Sequence, residues 1–448
     1  MEKFFRLKNI TFPNIKTIVN HDLCTGCGIC QGACPSNAIT IIPQNGLFRP
    51  VVDESKCNNS KGCHRCYDAC PGIGVNLSAI SSDIFKDENV QYDKMVGRYL
   101  KCYTGFSNDY DIRFHSASGG MVTQFLIWLL EHKKIDGAVV TKFDNSNPLM
   151  VSTYIATTKD EIIAGRSSKY APVSLNNIAQ QIRINLGTKF VVVGLPCHIH
   201  GIRKLMAMDK KLREKIIGLL GIFCSSGRSF NLTEYVMKER GIDRNKLQYF
   251  QYRDEGCLGS LKAIVSDNHK KIKPFNSYSK CKINGNLQEY QEEYQSYYNL
   301  RSFFVPRRCL FCIDHYAELA DISFGDIHIK PYSDDKVGVN SIIARNDMWL
   351  SLLLDCKRDG TISLDEIPFK IISDSQIMSF KKKGRNGAFI GICKTLGMQI
   401  PSYDVDYLRK PTIRDWVDYI QNRVQQFIGR HKKLWCLIPF LKPKVKVD

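Results

Sequence analysis

Twelve cysteines stand where they could hold iron, eight of them within the first seventy residues. The first run reads Cys24-Thr-Gly-Cys27-Gly-Ile-Cys30-Gln-Gly-Ala-Cys34-Pro35, and the second brings Cys57, Cys63, Cys66 and Cys70 ahead of Pro71. A C-x2-C-x2-C-x3-C-P run gives three thiolates to one 4Fe-4S cluster and sends the fourth, before proline, to a second. Paired in this way, Cys24, Cys27, Cys30 and Cys70 hold one cluster, and Cys57, Cys63, Cys66 and Cys34 the other. Three cysteines this close can all turn inward only on a tight loop, which Gly26 and Gly28 permit. One departure is visible: Asn58-Asn59-Ser60-Lys61-Gly62 separates Cys57 from Cys63 where two residues are expected. The enlarged loop keeps the ligands but changes exposure and hydrogen bonding, and with them the potential. Zinc modules do not call for interleaved triplets each followed by Cys-Pro. Disulfides need an oxidising compartment, and residues 1–19 hold no apolar signal core, which points to a cytoplasmic protein.

The other four cysteines are scattered. Cys197 lies in Gly-Leu-Pro-Cys-His, Cys224 in Gly-Ile-Phe-Cys-Ser-Ser, and Cys309 and Cys312 form a C-x2-C pair. The first two follow strand-like runs. Loops leaving the carboxyl ends of parallel strands are where α/β proteins build sites, so these four sulfurs can converge on a third 4Fe-4S cluster. The plainer alternative leaves Cys197 and Cys224 as core thiols and the pair as half of a zinc or redox site. Ser118-Gly119-Gly120 precedes a helical run; Ser118 can cap it while the glycines let amides approach a phosphate, or it is a cap and nothing more. His198 and His200 can tune a nearby cluster or cap a helix, and Asp314, Asp321 and Asp326 can bond a ligand or cap turns. Cys102, Cys257, Cys281, Cys356, Cys393 and Cys436 are isolated and read as packing residues. His64 does not follow a C-x-x-C pair, so haem attachment is not indicated.

The elements that must position these groups fall into parts. Residues 1–82 form a two-cluster ferredoxin unit with short strands at 38–42 and 48–52 about the Gln44-Asn45-Gly46 turn. A polar stretch, 81–93, reads as a linker. Beyond it, a helix at 121–132 and strands at 136–142, 189–194 and 216–223 alternate as an α/β body, divided at 97–190 and 191–400. Residues 408–448 form a short basic helical tail. The fold class is thus α+β and α/β, multi-domain, within a chain of 448 residues that is 44% apolar. No window approaches eighteen apolar residues in a row, so a membrane-spanning helix is not expected. The formal charge of +19 falls to about +13 once three clusters are bound, still basic enough to favour acidic partners or anionic surfaces.

Ordered motifs in the body carry a resemblance. Ile112-Arg113 with Ser116-Ala117-Ser118-Gly119-Gly120, Ile135-Asp136-Gly137, Ser168-Lys169-Tyr170-Ala171-Pro172, Gly194-Leu195-Pro196-Cys197, Cys309-Leu-Phe-Cys312 and Ala320-Asp321-Ile322-Ser323-Phe324-Gly325-Asp326 resemble the family of coenzyme F-420 hydrogenase/dehydrogenase beta subunits over about residues 97–345. The resemblance implies an iron-sulfur flavoprotein with FAD and a cluster in this body. It makes Ser118, Gly119 and Gly120 candidates for the FAD pyrophosphate. Lys169 becomes a candidate cation near a phosphate or the flavin ring, and Tyr170 a stacking ring; as bare sequence both are equally ordinary loop residues. Clusters pass single electrons and hydride carriers two, so a flavin is the natural converter. No nicotinamide fingerprint follows a predicted strand.

The implied function is an oxidoreductase moving electrons between 4Fe-4S clusters and a two-electron carrier through FAD, with coenzyme F-420 the carrier the family suggests. Asp326-Ile-His-Ile-Lys330 departs from the Gly-Asp-Trp pattern of many members, which loosens the tie to that substrate. The alternatives are a non-catalytic electron-transfer subunit docking to a separate reductase, and a ferredoxin-dependent reductase of another organic substrate. Expected partners are a redox protein or reduced ferredoxin and a two-electron small molecule; no nucleic-acid module is visible. The tail interleaves Trp416, Phe427 and Trp435 with Arg414, Arg423, Arg430, Lys432, Lys433, Lys442, Lys444 and Lys446. It reads either as a peripheral membrane contact or as a helix packed on the body, with Pro439 and Pro443 against a single long helix.

Overall fold

The computed structural model describes residues 12–144, 147–266, 272–294, 297, 300–405 and 409–442. Pro443, Lys444 and Lys446 of the tail lie outside them, as do residues 1–11 of the ferredoxin unit.

The ferredoxin unit is a hairpin and two cysteine loops. Strands β1 (Ile39–Gln44) and β2 (Leu47–Val52) pair antiparallel, with Gln44 opposite Leu47. Asn45 and Gly46 both take positive φ, 52° and 74°, the pair of left-handed residues that matches a two-residue turn to the strand twist. In the first cysteine loop Gly28, at φ 78°, starts the helix Ile29–Ala33. The unit does not stand apart. A Cβ at Gly201 would lie 2.5 Å from Ile29, and one at Gly32 2.7 Å from Ala179, so small residues let the helices of the body touch it closely. Ser402–Tyr403, far along the chain, pairs in parallel with Gly74–Val75.

The body is a mixed eight-stranded sheet. Its strands are β3 (Lys101–Ser107), β4 (Gly137–Phe143), β5 (Val151–Ala156), β6 (Phe190–Gly194) and β7 (Ile216–Ile222). After them come β12 (Ile322–Asp326), β13 (Asn340–Ala344) and β14 (Ile362–Glu366). They lie in the order β14-β3-β13-β12-β7-β6-β4-β5. The centre is parallel, β12-β7-β6-β4, while β13 and β5 flank it antiparallel. The continuous apolar runs of β6 and β7 follow from burial on both faces, which a parallel centre requires. A second sheet interrupts the part that the sequence reads as one continuous body: β8 (Leu247–Asp254), β9 (Ser260–Ser266), β10 (Ser279–Asn284) and β11 (Leu287–Glu293) form an antiparallel sheet, order β8-β9-β11-β10. The polar stretch 81–93 is not a free linker: the helix Leu77–Ile84 runs into it, and Gln91–Asp93 pairs with Gly97–Tyr99.

The tail begins with the helix Ile413–Arg430, opened by a capping box of Thr412 and Asp415. One face packs on the body, where a Cβ at Gly429 would lie 1.9 Å from the Phe303 carbonyl. Trp435 is 5% exposed and meets Tyr235 and Phe304 edge-on, so it is a packing residue and not a membrane anchor. Trp416 is half-buried; Phe427 is exposed.

Candidate iron-sulfur centres

The cysteines gather in three groups of four. Cys34, Cys57, Cys63 and Cys66 line one cavity with Asn14, Pro35 and Val52 at the outer end of the ferredoxin unit. The enlarged loop is well organised there: Gly62 turns at φ 87°, and the Asn59 amide donates to the Phe12 and Cys63 carbonyls at 3.0 Å each. Burial lifts the Cys66 thiol to about 11, and the charges of Cys34, Cys63 and Cys57 push the same way.

Cys24, Cys27, Cys30 and Cys70 form the inner group and are all buried. Burial holds the Cys30 thiol far above its ordinary value, followed by the charges of Cys27, Cys70 and Cys24. Backbone amides point at the sulfurs: Gly26 donates to Cys24 at 3.4 Å and Gly72 to Cys70 at 3.3 Å, while at the outer group Ala38 donates to Cys34 at 3.3 Å. Such N–H groups stabilise thiolate charge and set cluster potentials.

Cys197 sits in the first turn of the helix Pro196–Met208, which leaves β6, and Cys224 follows β7. Because β6 and β7 are parallel neighbours, their carboxyl ends bring these two thiols to one edge. The C-x2-C pair completes the group. Burial raises Cys197 most, then the charges of Cys27, Cys224, Cys309 and Cys312, so it stands between the inner ferredoxin group and its own. The Gly227 amide donates to the Cys309 sulfur at 3.3 Å. Among the described residues no group of His, Cys, Asp or Glu closes tightly enough to hold a single metal ion. A four-iron cubane spreads its thiolates wider than one ion does, and crowded buried thiols met by N–H donors suit it.

Around these groups lie residues that the sequence did not single out. Arg308, 4% exposed, donates to the Gly72 carbonyl at 3.0 Å and the Pro71 carbonyl at 2.9 Å. Lys204 donates to the carbonyls of Cys70 at 3.0 Å and Gly74 at 3.3 Å. Lys382 reaches the Cys224 carbonyl at 3.1 Å, and the Asn386 amide clamps the C-x2-C loop through the carbonyls of Cys312 at 2.7 Å and Cys309 at 3.3 Å. The only signals for them are Arg307-Arg308 directly before Cys309 and the run Lys381-Lys382-Lys383.

His198 accepts from the Leu195 amide at 3.3 Å and its other nitrogen meets the Val173 carbonyl at 3.2 Å, so it caps; burial draws its pKa down to about 4. His200 bonds Asp314 at 2.8 Å inside the protein, and Asp321 braces β7 through the Leu219 amide at 2.8 Å. Asp326 takes the Arg253 guanidinium at 2.7 Å.

The capping role read for Ser118 is corrected. Ser118 does not cap the helix Met121–Glu131: Gly120, at φ 73°, is its N-cap, and the Ser118 hydroxyl donates to the Val339 carbonyl at 2.7 Å. The Met121 amide is taken by the Asn340 side chain at 3.2 Å. A Cβ at Gly119 would lie 2.7 Å from the Gly105 carbonyl, so the glycines let the loop press on β3 and β13. The Lys169 ammonium is held by the carbonyls of Gly165, Arg166 and Ser167, and burial, with Arg166, brings its pKa down to about 7. Tyr170 is not a solvated loop residue: its ring packs 5.4 Å from Tyr252 and 5.6 Å from Tyr294. Arg228, 6% exposed, lies within electrostatic reach of Tyr252 and Tyr294 and, among the described residues, bonds the Ser226 side chain and the carbonyls of Ser226 and Gly227.

The fold and cysteine groups define an iron-sulfur electron-transfer protein built on an α/β body. Residues 102–180 match the model for the N-terminal region of the coenzyme F420 hydrogenase/dehydrogenase beta subunit, residues 187–370 the model for its C terminus, and residues 23–75 a 4Fe-4S dicluster domain. The chain belongs to the family of coenzyme F420 hydrogenase/dehydrogenase beta subunits, with a 4Fe-4S dicluster domain ahead of the family body. Over 82% of its length it is 24% identical to the coenzyme F420-dependent sulfite reductase of Methanocaldococcus jannaschii, and it spans only 51% of that protein. It is 25% identical, over 68% of its length and 99% of the relative, to the coenzyme F420 hydrogenase beta subunit of Methanothermobacter thermautotrophicus. A chain of the F420-reducing [NiFe] hydrogenase complex from Methanosarcina barkeri shares the fold, with a TM-score of 0.51 at 19% identity over 72% of this chain and 99% of that one.

Proposed function

We propose that the chain is an oxidoreductase subunit that moves electrons between a partner redox protein and a two-electron carrier of the coenzyme F420 type. Three 4Fe-4S clusters and FAD are the cofactors in this reading. The observation that carries it is the position of Cys197, within electrostatic reach of Cys27 on one side and of Cys224, Cys309 and Cys312 on the other. Such adjacency lets the outer, inner and body groups work as one path. A bound flavin exchanges single electrons with clusters and pairs with a hydride carrier. For it the Tyr170 face is favoured over the Ser118 loop, since the buried Arg228 offers positive charge there and Tyr170 and Tyr294 aromatic surface. The test is turnover by the anaerobically purified chain between reduced coenzyme F420 and a viologen dye. Flavin-dependent turnover supports the enzyme; iron-loaded protein that stays silent with every two-electron carrier, yet reduces a partner protein, favours the non-catalytic electron-transfer subunit.

The tail supports a peripheral contact with an anionic membrane face, on the cytoplasmic side. Ile413, Val417, Ile420, Val424 and Phe427 form one stripe of the helix Ile413–Arg430, between 49% and 85% exposed, and Phe440 and Leu441 extend the apolar surface. Lys410, Arg414, Lys433 and Lys442 are exposed around it, and no carboxylate is exposed among the described residues 409–442. An apolar stripe rimmed by cations suits an anionic lipid surface. Among the described residues no helix is long and apolar enough to cross a membrane. Co-sedimentation with phosphatidylglycerol vesicles, lost in Ile420→Glu and absent with phosphatidylcholine, is the expected result; retention of binding in that variant would overturn it.

A further inference from the structure

Two buried cations, Arg308 and Lys382, and the half-buried Lys204 stand around the inner cysteine groups without an ion pair to a carboxylate among the described residues. Arg308 is bonded to the Pro71 and Gly72 carbonyls and the Tyr403 hydroxyl, Lys204 to the Cys70 and Gly74 carbonyls, and Lys382 to the Cys224 carbonyl. Several buried cations elsewhere in the body hold carboxylates directly: Arg240 holds Glu292 at 2.6 Å, Lys383 holds Glu318 at 2.5 Å, and Arg253 holds Asp326 at 2.7 Å, while Arg228, Arg307 and Arg345 are met by hydroxyl, carbonyl or sulfur groups. A charge withdrawn from water needs opposite charge or hydrogen-bond acceptors around it, and opposite charge is the stronger partner. For Arg308 the nearby negative groups are Cys309 and Cys312; for Lys204 they are Cys70 and Cys27, with Asp68 at the surface; Lys382 faces Cys224 and Cys309. Around the outer group the pattern reverses, for Lys56 and Lys16 are exposed and carry their own carboxylates, Asp53 and Glu54.

We infer that Arg308, Lys204 and Lys382 are the counter-ions of the two inner iron-sulfur centres, and that as positioning residues they raise the reduction potentials of those centres while leaving the outer one untouched. The inference rests on the three-cluster reading above. Reduction adds one electron, and so one negative charge, to a centre; a fixed cation nearby with little water between favours that state. Arg308 does so between two centres, because it follows the body chain into Cys309 while gripping the turn after Cys70. Its backbone bonds also hold the two centres at a fixed separation.

The experiment is a potentiometric titration of the anaerobic holoprotein, with viologen dyes as the one-electron donors and electron paramagnetic resonance as the readout. Lys382→Met should raise the oxidised-to-reduced ratio of the body centre about tenfold at a fixed ambient potential, a lowering of about 59 mV for a one-electron couple. Lys204→Met should do the same at the inner ferredoxin centre, and Arg308→Met at both. Arg308→Lys should recover much of the shift, and Lys56→Met should move nothing. Unchanged inner potentials in the Lys382 and Lys204 variants with full iron would overturn the inference, as would an equal shift of all three centres. Should Arg308→Met lose iron, the two lysine variants decide the matter. A wild-type chain with only eight iron atoms would instead remove the body centre itself, a separate failure of the function reading.

Discussion

The outer and inner cysteine groups come from the same kind of motif and end in opposite surroundings. Cys34, Cys57, Cys63 and Cys66 line a cavity at the surface, beside a loop held by the Asn59 amide, with the exposed Lys56 paired to Asp53 just before it. Cys24, Cys27, Cys30 and Cys70 are buried against the body, with Leu175 donating its amide to the Cys27 carbonyl at 2.8 Å and Lys204 and Arg308 gripping the turn after Cys70. The difference teaches that one half of a ferredoxin unit can stay open at the surface while the other is built into the α/β body. The spacing alone treats the halves as equals.

The comparison breaks most readily at the ligands. Cys30→Ser should remove about four iron atoms and also loosen the contact with the body, lowering the melting temperature well beyond what Cys63→Ser does, although that variant too should lose about four iron atoms. Equal thermal losses would mean the inner half is no better anchored than the outer. Next come the glycines. At Gly28, φ 78°, a Cβ would lie 2.3 Å from the Ser174 hydroxyl and 2.6 Å from the Asn176 amide, so Gly28→Ala should cost about 3 kcal/mol in denaturant unfolding. At Gly62, φ 87°, the nearest atom is 3.5 Å away, and Gly62→Ala should cost about 1 kcal/mol, for the backbone alone.

Much of this site could be read from spacing. Both ferredoxin groups are set by local loops, and the body group follows from two strand-like runs whose ends must be neighbours in a parallel sheet. What could not be read depends on partners far along the chain. Ser118 looks like a helix cap, yet Asn340, more than two hundred residues on, takes the helix amide and leaves Ser118 to Val339. The β8–β11 sheet hid because, although burial alternates along β9 and β11, the buried positions of β11 include Gln288 and Glu292, so its hydropathy does not alternate. Trp435 stayed open between membrane contact and packing because nothing local reveals Tyr235 and Phe304 beneath it.

A smaller effect separates the body from both ferredoxin halves. The folded pKa of Lys169, about 7, lies below its unfolded value near 10.4. The unfolded chain therefore binds the extra proton between these values, and stability should rise with pH across that window. Lys169→Met should flatten the slope; an unchanged slope would show that the three carbonyls keep the ammonium charged throughout.

The most direct test of the central claim, that three cysteine groups form one path, is the iron content of the anaerobically purified chain beside its Cys312→Ser variant. Three four-iron centres predict about twelve iron atoms falling to about eight, with the two ferredoxin signals intact. Eight atoms in both proteins would contradict the account, leaving Cys197, Cys224, Cys309 and Cys312 as buried thiols and the path ending at the ferredoxin.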